Sequence, residues 1–225
     1  MFGSLYIIAT PIGNLEDITL RALRLLGEVA VIACEDTRQT VKLLNKYGIR
    51  KELISYYQPR EGRKIPLLLD ILKKGKDVAL VSDSGTPTIS DPGYRLVREA
   101  LKEGIKVIPI PGPTAFAAAL SAAGLPTHRF KFAGFPPPKR EAARKWLISM
   151  KEEEGTLIIY LPARKVAAFL SDAAEVLGER QVVIARELTK IYEEFIRGNF
   201  GEVGAAIAPR VLKGEITLLI RGKME

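Results

Sequence analysis

The sequence predicts an α/β protein with two sheets, the first mostly parallel and doubly wound, the second mixed. Three observations carry this. Short apolar runs without polar alternation recur through the first half, separated by amphipathic stretches; buried parallel strands joined by crossover helices have this pattern. At PIPGPTAFAAALSAAGLPTHRF, residues 109–130, prolines surround a small-residue stretch and the alternation stops. Beyond it, apolar runs follow one another with too few residues between them for a crossover helix, which requires antiparallel pairing.

Taken in order, SLYIIA, EVAVIAC, DVALVS and KVIPI are the strands of the first half. Between them, ITLRALRLLG, RQTVKLLNKYG, RKIPLLLDILKKG and YRLVREALKEG carry apolar residues at helical spacing. Each ends at a glycine (Gly27, Gly48, Gly75, Gly104), the residue suited to the left-handed position after a helix. Asp91 and Pro92 predict the start of the last of these helices, as its cap and first residue. In the second half, AFAAALSAAG is a small-residue helix and TLIIYLP a strand. KVAAFLSDAAEVLG is a helix with Val166, Phe169, Leu170, Ala173, Val176 and Leu177 on one face. QVVIAREL, IYEEFIRG and EITLLIRG complete the mixed sheet. The domains are expected at 1–112 and 113–225.

Hydrophobic content of 47% and charged content of 27% are those of a soluble globular protein. No apolar run approaches the roughly 20 residues that span a bilayer, and MFGSLYIIATPIG has neither the basic region nor the cleavage site of a secretory signal. Cys34 is the only cysteine, which excludes an intramolecular disulfide and a cysteine-based zinc site and suits a reducing cytoplasm. The net charge of +8 favours a polyanionic partner, either nucleic acid or a small polycarboxylate. Divided after residue 112, each half has 17 Lys and Arg and 13 Asp and Glu, so the excess is no basic tail.

With His128 the only histidine, a Ser-His-Asp triad could form only around it, and no G-x-S-x-G elbow is present. A Walker A loop, a G-x-G-x-x-G fingerprint and the glycine-rich loop of doubly wound methyltransferases are all missing. What remains are loops at the carboxyl ends of strands, where open α/β sheets place their ligands. ATPIGNLEDIT (residues 9–19) turns at Pro11 and Gly13, with Asn14 or Asp17 able to cap the next helix. CEDTR (34–38) sets Glu35 and Asp36 beside Arg38. VSDSGTPTISDPGYR (81–95) fits a phosphate cradle, an acidic metal site or a plain turn, and PGPTA (111–115) precedes the small-residue helix.

These four loops, with FAGFPPPK (132–139) and ELTKIYEEFIRG (187–198), occur in an order that resembles the tetrapyrrole methylase superfamily over almost the whole chain. Within it they resemble the branch that methylates the ribose 2′-hydroxyl of a cytidine in bacterial 16S ribosomal RNA. The resemblance implies a two-domain α/β methyltransferase that works as a homodimer, with S-adenosylmethionine in the cleft between the domains. Its cofactor contacts fall at Pro11, Ser84, Gly85, Thr86, Pro87, Ile89, Thr114, Ala115, Leu161, Leu188 and Thr217. Ile89, Ala115 and Leu161 would pack on the adenine or ribose. No metal is implied. For removal of the 2′-hydroxyl proton the candidates are Glu35, Asp36, Asp83, Lys190 and Glu193, with Arg38 positioning phosphate; structural ion pairing of Lys190 with Glu193 or Glu194 is the plainer reading.

Gly85-Thr86-Pro87 then resembles a cofactor turn, since no Walker-type lysine follows it, and Asp91 becomes a helix cap. Members of the branch often carry a further helical segment after the second sheet, where this chain ends at LLIRGKME. That leaves RNA contact to the core surface or a dimer partner. Competing readings are a methyltransferase of a tetrapyrrole or other small acidic metabolite, a divalent-metal phosphohydrolase or nuclease built on Glu35, Asp36, Asp83 and Asp91, and a non-catalytic RNA-binding module.

Overall fold

The computed structural model of the chain describes residues 1–58 and 61–223. It separates into two units, Met1–Thr114 and Ala115–Glu225. In the first, β1 (Leu5–Ile8), β2 (Val31–Cys34), β3 (Glu52–Ser55), β4 (Val78–Val81) and β5 (Val107–Ile110) form one sheet of order β3-β2-β4-β1-β5. Every pairing is parallel: Leu5 lies opposite both Val78 and Val107, and Val31 opposite both Val78 and Glu52.

Strand alternation divides the apolar residues between two cores. Leu5, Ile7, Val31, Ala33, Val78 and Leu80 meet Leu68 and Leu72 of α3 (Glu61–Lys73) and Leu96 and Ala100 of α4 (Tyr94–Lys102). On the other face Ile8, Ile32, Cys34, Ala79 and Val81 meet Leu25 and Leu26 of α1 (Leu20–Glu28) and Leu43 and Leu44 of α2 (Thr37–Lys46). Helices on both faces make the sheet doubly wound, as the alternation predicts. The apolar-run criterion misses β3 because it is an edge strand whose ELIS carries Glu52 and Ser55 at its ends.

Three helix-end expectations are corrected. Gly27 lies inside α1, which runs on to Glu28; of the four helix-ending glycines, Gly48, Gly75 and Gly104 take the left-handed conformation. Asn14 caps a short 3-10 turn at Leu15–Asp17, and Thr19 caps α1 by accepting the Ala22 N–H. α4 begins at Tyr94, with Gly93 and not Asp91 as its cap. Gly93 is fixed there because its N–H donates to the buried carboxylate of Glu61 at 3.0 Å, an anion placed at a helix N-terminus.

The second unit contains α5 (Ala115–Ala123), β6 (Phe130–Gly134), α6 (Arg140–Ile148), β7 (Thr156–Pro162), α7 (Val166–Leu177), β8 (Gln181–Arg186), β9 (Glu194–Asn199), α8 (Phe200–Ile207) and β10 (Glu215–Ile220). Its sheet order is β6-β7-β10-β8-β9. β6 pairs parallel with β7, and the remaining pairs are antiparallel. One face packs under α6, α7 and α8, with all six predicted residues of the α7 stripe in that core. α5 lies against β7, β8 and β10. Its buried Ala119, Leu120 and Ala123, like Ile158, Val183 and Leu219 of the strands, are outside that core, so α5 covers the opposite face. The sequence pattern does not announce β6, α6 or α8.

α6 and α7 are clamped by charge. Asp172, 4% exposed, accepts hydrogen bonds from Arg140 and Arg144, the shortest at 2.8 and 2.6 Å. The Arg140 guanidinium foremost, then Arg144, holds the Asp172 carboxyl at about 2. A carboxyl held below its unfolded value contributes stability above that value and loses it as pH falls through the folded one. Asp172→Asn should therefore lower stability at pH 7 by about 1–2 kcal/mol, less than for a fully buried pair because Arg140 is largely solvated. It should also flatten the acid-denaturation curve below pH ~4. Thermal melts across pH check both; an unchanged Tm at pH 7 refutes the clamp.

Candidate active site

The carboxyl ends of the first unit's strands are braced into one surface. Thr10 and Gly85 exchange backbone hydrogen bonds of 2.8 and 3.0 Å, tying the loop after β1 to the loop after β4. Two buried hydroxyls reinforce the tie: Thr10 donates to the Ser82 carbonyl at 3.0 Å, and Ser82 to the Gly85 carbonyl at 3.2 Å. The Thr86 hydroxyl reaches the Pro113 carbonyl at 3.1 Å and the Thr114 hydroxyl at 2.5 Å, which brings in the loop after β5. The Asp36 N–H donates to Asp83 Oδ1 at 3.0 Å, which brings in the loop after β2. All four loops chosen from the sequence are therefore joined. Thr10 and Ser82 were not among the chosen residues; the signal for them is a hydroxyl directly after a wholly apolar strand.

Of the residues expected on this surface, Ser84 and Ile89 are exposed, Thr86 and Thr114 half-buried, and Pro11, Gly85 and Pro87 buried. The backbone is held in rare conformations here. Thr88 and Ser90 have φ of 74° and 66°, and the only other non-glycine residues with positive φ among those described are Glu187 and Thr189, at 50° and 65°. Threonine is disfavoured there, and strain of this kind persists where the surrounding structure fixes it, commonly at functional sites.

The carboxylates have unlike surroundings. Asp36 caps α2 by accepting the Arg38 N–H at 2.8 Å, and it also takes the Arg38 guanidinium; these bonds pull its carboxyl down to about 2. Asp83, raised chiefly by burial, accepts the Asp36 N–H. Glu35 makes no hydrogen bond or ion pair among the described residues. Burial first, then the charges of Asp83 and Asp36, push its carboxyl above the ordinary glutamate value. Arg38 is exposed apart from its Asp36 contact. The metal reading loses its ligand set: among the described residues no group of three or more His, Cys, Asp or Glu side chains is arranged to hold an ion.

In the second unit, the segment between β8 and β9 is a self-braced loop. The Glu187 carboxylate accepts Lys190 Nζ at 2.9 Å and the Glu215 N–H at 3.2 Å, while Glu193 accepts the Thr189 N–H at 2.5 Å. Lys190 thus pairs with Glu187, and not with Glu193 or Glu194 as expected. Ala115 is the first residue of α5; Leu188 and Thr217 are buried. Leu161, 1% exposed, belongs to the core beneath α6–α8. Its side chain is engaged there and not free to pack on a ligand ring, so a contact at Leu161 falls to its backbone.

Between Lys76 and Arg95 the chain has no basic residue. The loop after β4 thus offers backbone and hydroxyl groups bordered by carboxylates, which suits a cationic nucleoside, while the nearest cation on the surface is Arg38 beside the loop after β2. S-Adenosylmethionine, a sulfonium nucleoside, fits this donor set.

The chain shares its fold with several solved methyltransferases. The chain aligns with the methyltransferase CobJ at a TM-score of 0.72 and 20% identity, covering 98% of this chain and 94% of that one. It aligns with a cobalt precorrin-4 methyltransferase at 0.70 and 18% identity, covering 97% and 94%. With Thermus thermophilus uroporphyrin-III C-methyltransferase complexed with S-adenosylhomocysteine the TM-score is 0.64 at 22% identity, covering 98% of each. The chain thus shares its fold with these structures over nearly its whole length.

The sequence pattern of the Tetrapyrrole (Corrin/Porphyrin) Methylases matches residues 4–204, and the chain belongs to that family. Among its relatives, Ribosomal RNA small subunit methyltransferase I of Halalkalibacterium halodurans is 49% identical over 99% of this chain and 77% of the relative. The protein of the same name from Thermotoga maritima is 45% identical over 98% of this chain and 99% of the relative. No helix among the described residues is long and apolar enough to cross a membrane.

Proposed function

We propose that this protein is an S-adenosylmethionine-dependent methyltransferase that modifies the ribose 2′-hydroxyl of a cytidine in 16S ribosomal RNA, acting in the cytoplasm as a homodimer. The observation that carries the reading is the end-to-end likeness to relatives named as small-subunit rRNA methyltransferases. The braced surface in the first unit agrees with it.

When bound, S-adenosylmethionine supplies an electrophilic methyl group. Pro11, Ser84, Gly85, Thr86, Pro87, Ile89 and Thr114 are the residues of the first unit that would hold it. Ala115, Leu161, Leu188 and Thr217 carry the same expectation in the second. Bracing by Thr10, Ser82 and Thr86 keeps the loops from rearranging, and fixed alignment of reacting groups supplies up to about 7–11 kcal/mol of barrier lowering.

The 2′-hydroxyl is a poor nucleophile and needs its proton removed. Glu35 takes that role: it is the candidate carboxylate with no partner to hold it, and burial foremost raises its proton affinity above that of an ordinary glutamate. Asp36 and Asp83 shape the surface around it, and Arg38 offers a charge to a backbone phosphate. Lys190 and Glu193 act through the shape of the 187–193 loop.

The test is transfer of labelled methyl groups to small ribosomal subunits that lack the modification. Label at the 2′-oxygen of a cytidine is expected. Folded, cofactor-bound protein that leaves the subunits unlabelled would refute the reading, and methylation of a uroporphyrinogen-like acid with indifference to RNA would favour the small-metabolite alternative.

A further inference from the structure

In the second unit Phe116, Phe130, Phe132, Phe135 and Tyr160 form a continuous run of ring contacts. Phe132 stacks on Phe116 with centroids 4.9 Å apart and planes 27° apart, and meets Tyr160 edge-on at 4.9 Å. Phe135 meets Tyr160 edge-on at 5.4 Å, and Phe130 lies 6.2 Å from Phe116. None of these rings belongs to the core under α6–α8. The inner rings are held in place, since the Phe116 N–H donates to the Tyr160 hydroxyl at 3.1 Å. The outer two face solvent: Phe130 is 46% exposed and Phe135 56%.

A local irregularity puts them there. Successive strand residues point to opposite faces, so Phe130 and Phe132 share a face and Phe135 would point away from them. The register of β6 on β7 shifts, however: Phe132 lies opposite Ile158 and Gly134 opposite Ile159, so Ala133 is an extra residue. That bulge resets the alternation and returns Phe135 to the side of Phe132 and Tyr160. Gly134 has φ +69°, the left-handed conformation that a glycine bulge uses. β6 is an edge strand, so the bulge serves no second neighbour. Its effect is to aim another aromatic ring at water, against the hydrophobic preference.

The surrounding charge indicates what covers these rings. His128–Arg140 contains Arg129, Lys131, Lys139 and Arg140 and no acidic residue. Arg129 and Lys131 pair with Glu153 and Glu154, and Arg140 with Asp172, but all three cationic side chains stay about half exposed or more, and Lys139 makes no ion pair among the described residues. Aromatic faces with basic flanks are how proteins hold single-stranded nucleic acid, through base stacking and phosphate attraction. The core of a subunit interface is depleted of charge.

We propose that this aromatic row along β6 binds a single-stranded segment of the substrate RNA, with Phe130 and Phe135 each receiving an unstacked base. The proposal rests on the RNA reading above and assigns the surface of the second unit that grips the strand.

The test uses the full chain and a short, dye-labelled, single-stranded oligoribonucleotide, with affinity read by fluorescence anisotropy at fixed salt. Paired Phe130→Ala and Phe135→Ala changes should weaken binding about tenfold or more, and paired changes to Trp should restore it. Affinity for S-adenosylmethionine, measured by calorimetry, should not move in either variant. The proposal is overturned if the Ala variant binds within twofold of the parent, or if Trp fails to restore a loss. It is likewise overturned if the Ala variant loses self-association while keeping RNA affinity, which would mark a protein contact. Binding is read without turnover, so the two readings can fail separately. An oligonucleotide gripped here by a protein that never methylates subunits refutes the activity alone; unaltered KM for subunits in the Ala variant refutes the aromatic row alone.

Discussion

Glu35→Gln is expected to lower methyl transfer by about 10²- to 10⁴-fold, the range lost when a positioned general base is removed, while S-adenosylmethionine still binds. The parent's acid limb should lie above the ordinary glutamate range, because burial and the Asp83 and Asp36 charges raise the proton affinity of Glu35. Activity is then lost as pH falls through that raised value, and the amide variant should lack this limb in its residual rate. Stability should move the other way. A carboxyl whose folded pKa is raised disfavours the fold once pH exceeds that value, so the amide, which cannot ionise, should melt at or above the parent's Tm at pH 7. Single-turnover rates and melts on the same preparation decide it. Activity within threefold of the parent would remove Glu35 from the reaction.

The second large effect is at Gly93, where a single Cβ would disturb both the first core and the strand-end surface. A Cβ there would lie 2.7 Å from Leu80 Cδ2 and 2.9 Å from Thr88 Cγ2, at a φ of +135° that L residues rarely adopt. Leu80 belongs to the core and Thr88 is one of the strained residues of the loop after β4. Gly93→Ala should cost about 2–4 kcal/mol, overpacking adding about 1–3 to about 1 of backbone strain. It should also weaken S-adenosylmethionine binding, because the shift is transmitted to Thr88. Denaturant unfolding reads the first effect and calorimetry the second. A variant as stable as the parent would show that Leu80 repacks freely.

The doubly wound sheet was legible because its strands are apolar from end to end, and VIAC and VALV are buried at every residue. Edge elements were not. ELIS and FKFAG are half solvated, so their residues carry no continuous apolar signal, although FKFAG supplies two rings of the aromatic row in the second unit. Helix starts misled for a different reason. Asp91-Pro92 has the local chemistry of a cap, yet Glu61, 32 residues away in sequence, fixes Gly93 in that role. Local patterns cannot encode a long-range hydrogen bond.

The strand-end loops were legible because glycine, proline and carboxylates cluster after apolar runs. The division of labour among the acids was not. Glu35 and Asp36 are neighbours in CEDTR, and only the fold shows that one is committed to a helix cap and the other to nothing. Leu161 shows the converse: its place in a motif suggested a ligand contact, while strand alternation turned its side chain into the core.

The order β3-β2-β4-β1-β5 also constrains how the chain acquires its activity during synthesis. β4 is inserted between β1 and β2, so those two strands have no direct pairing to hold them together before it arrives. Leu5 finds its partner Val78 only 73 positions further along the chain, and such distant pairing is slow to form. The ties from Thr10 to Gly85 and from Asp36 to Asp83 depend on the same insertion. A nascent chain that stops short of β4 therefore has two of its loops but no organised surface. Competence to bind the methyl donor should not appear before the middle strand enters.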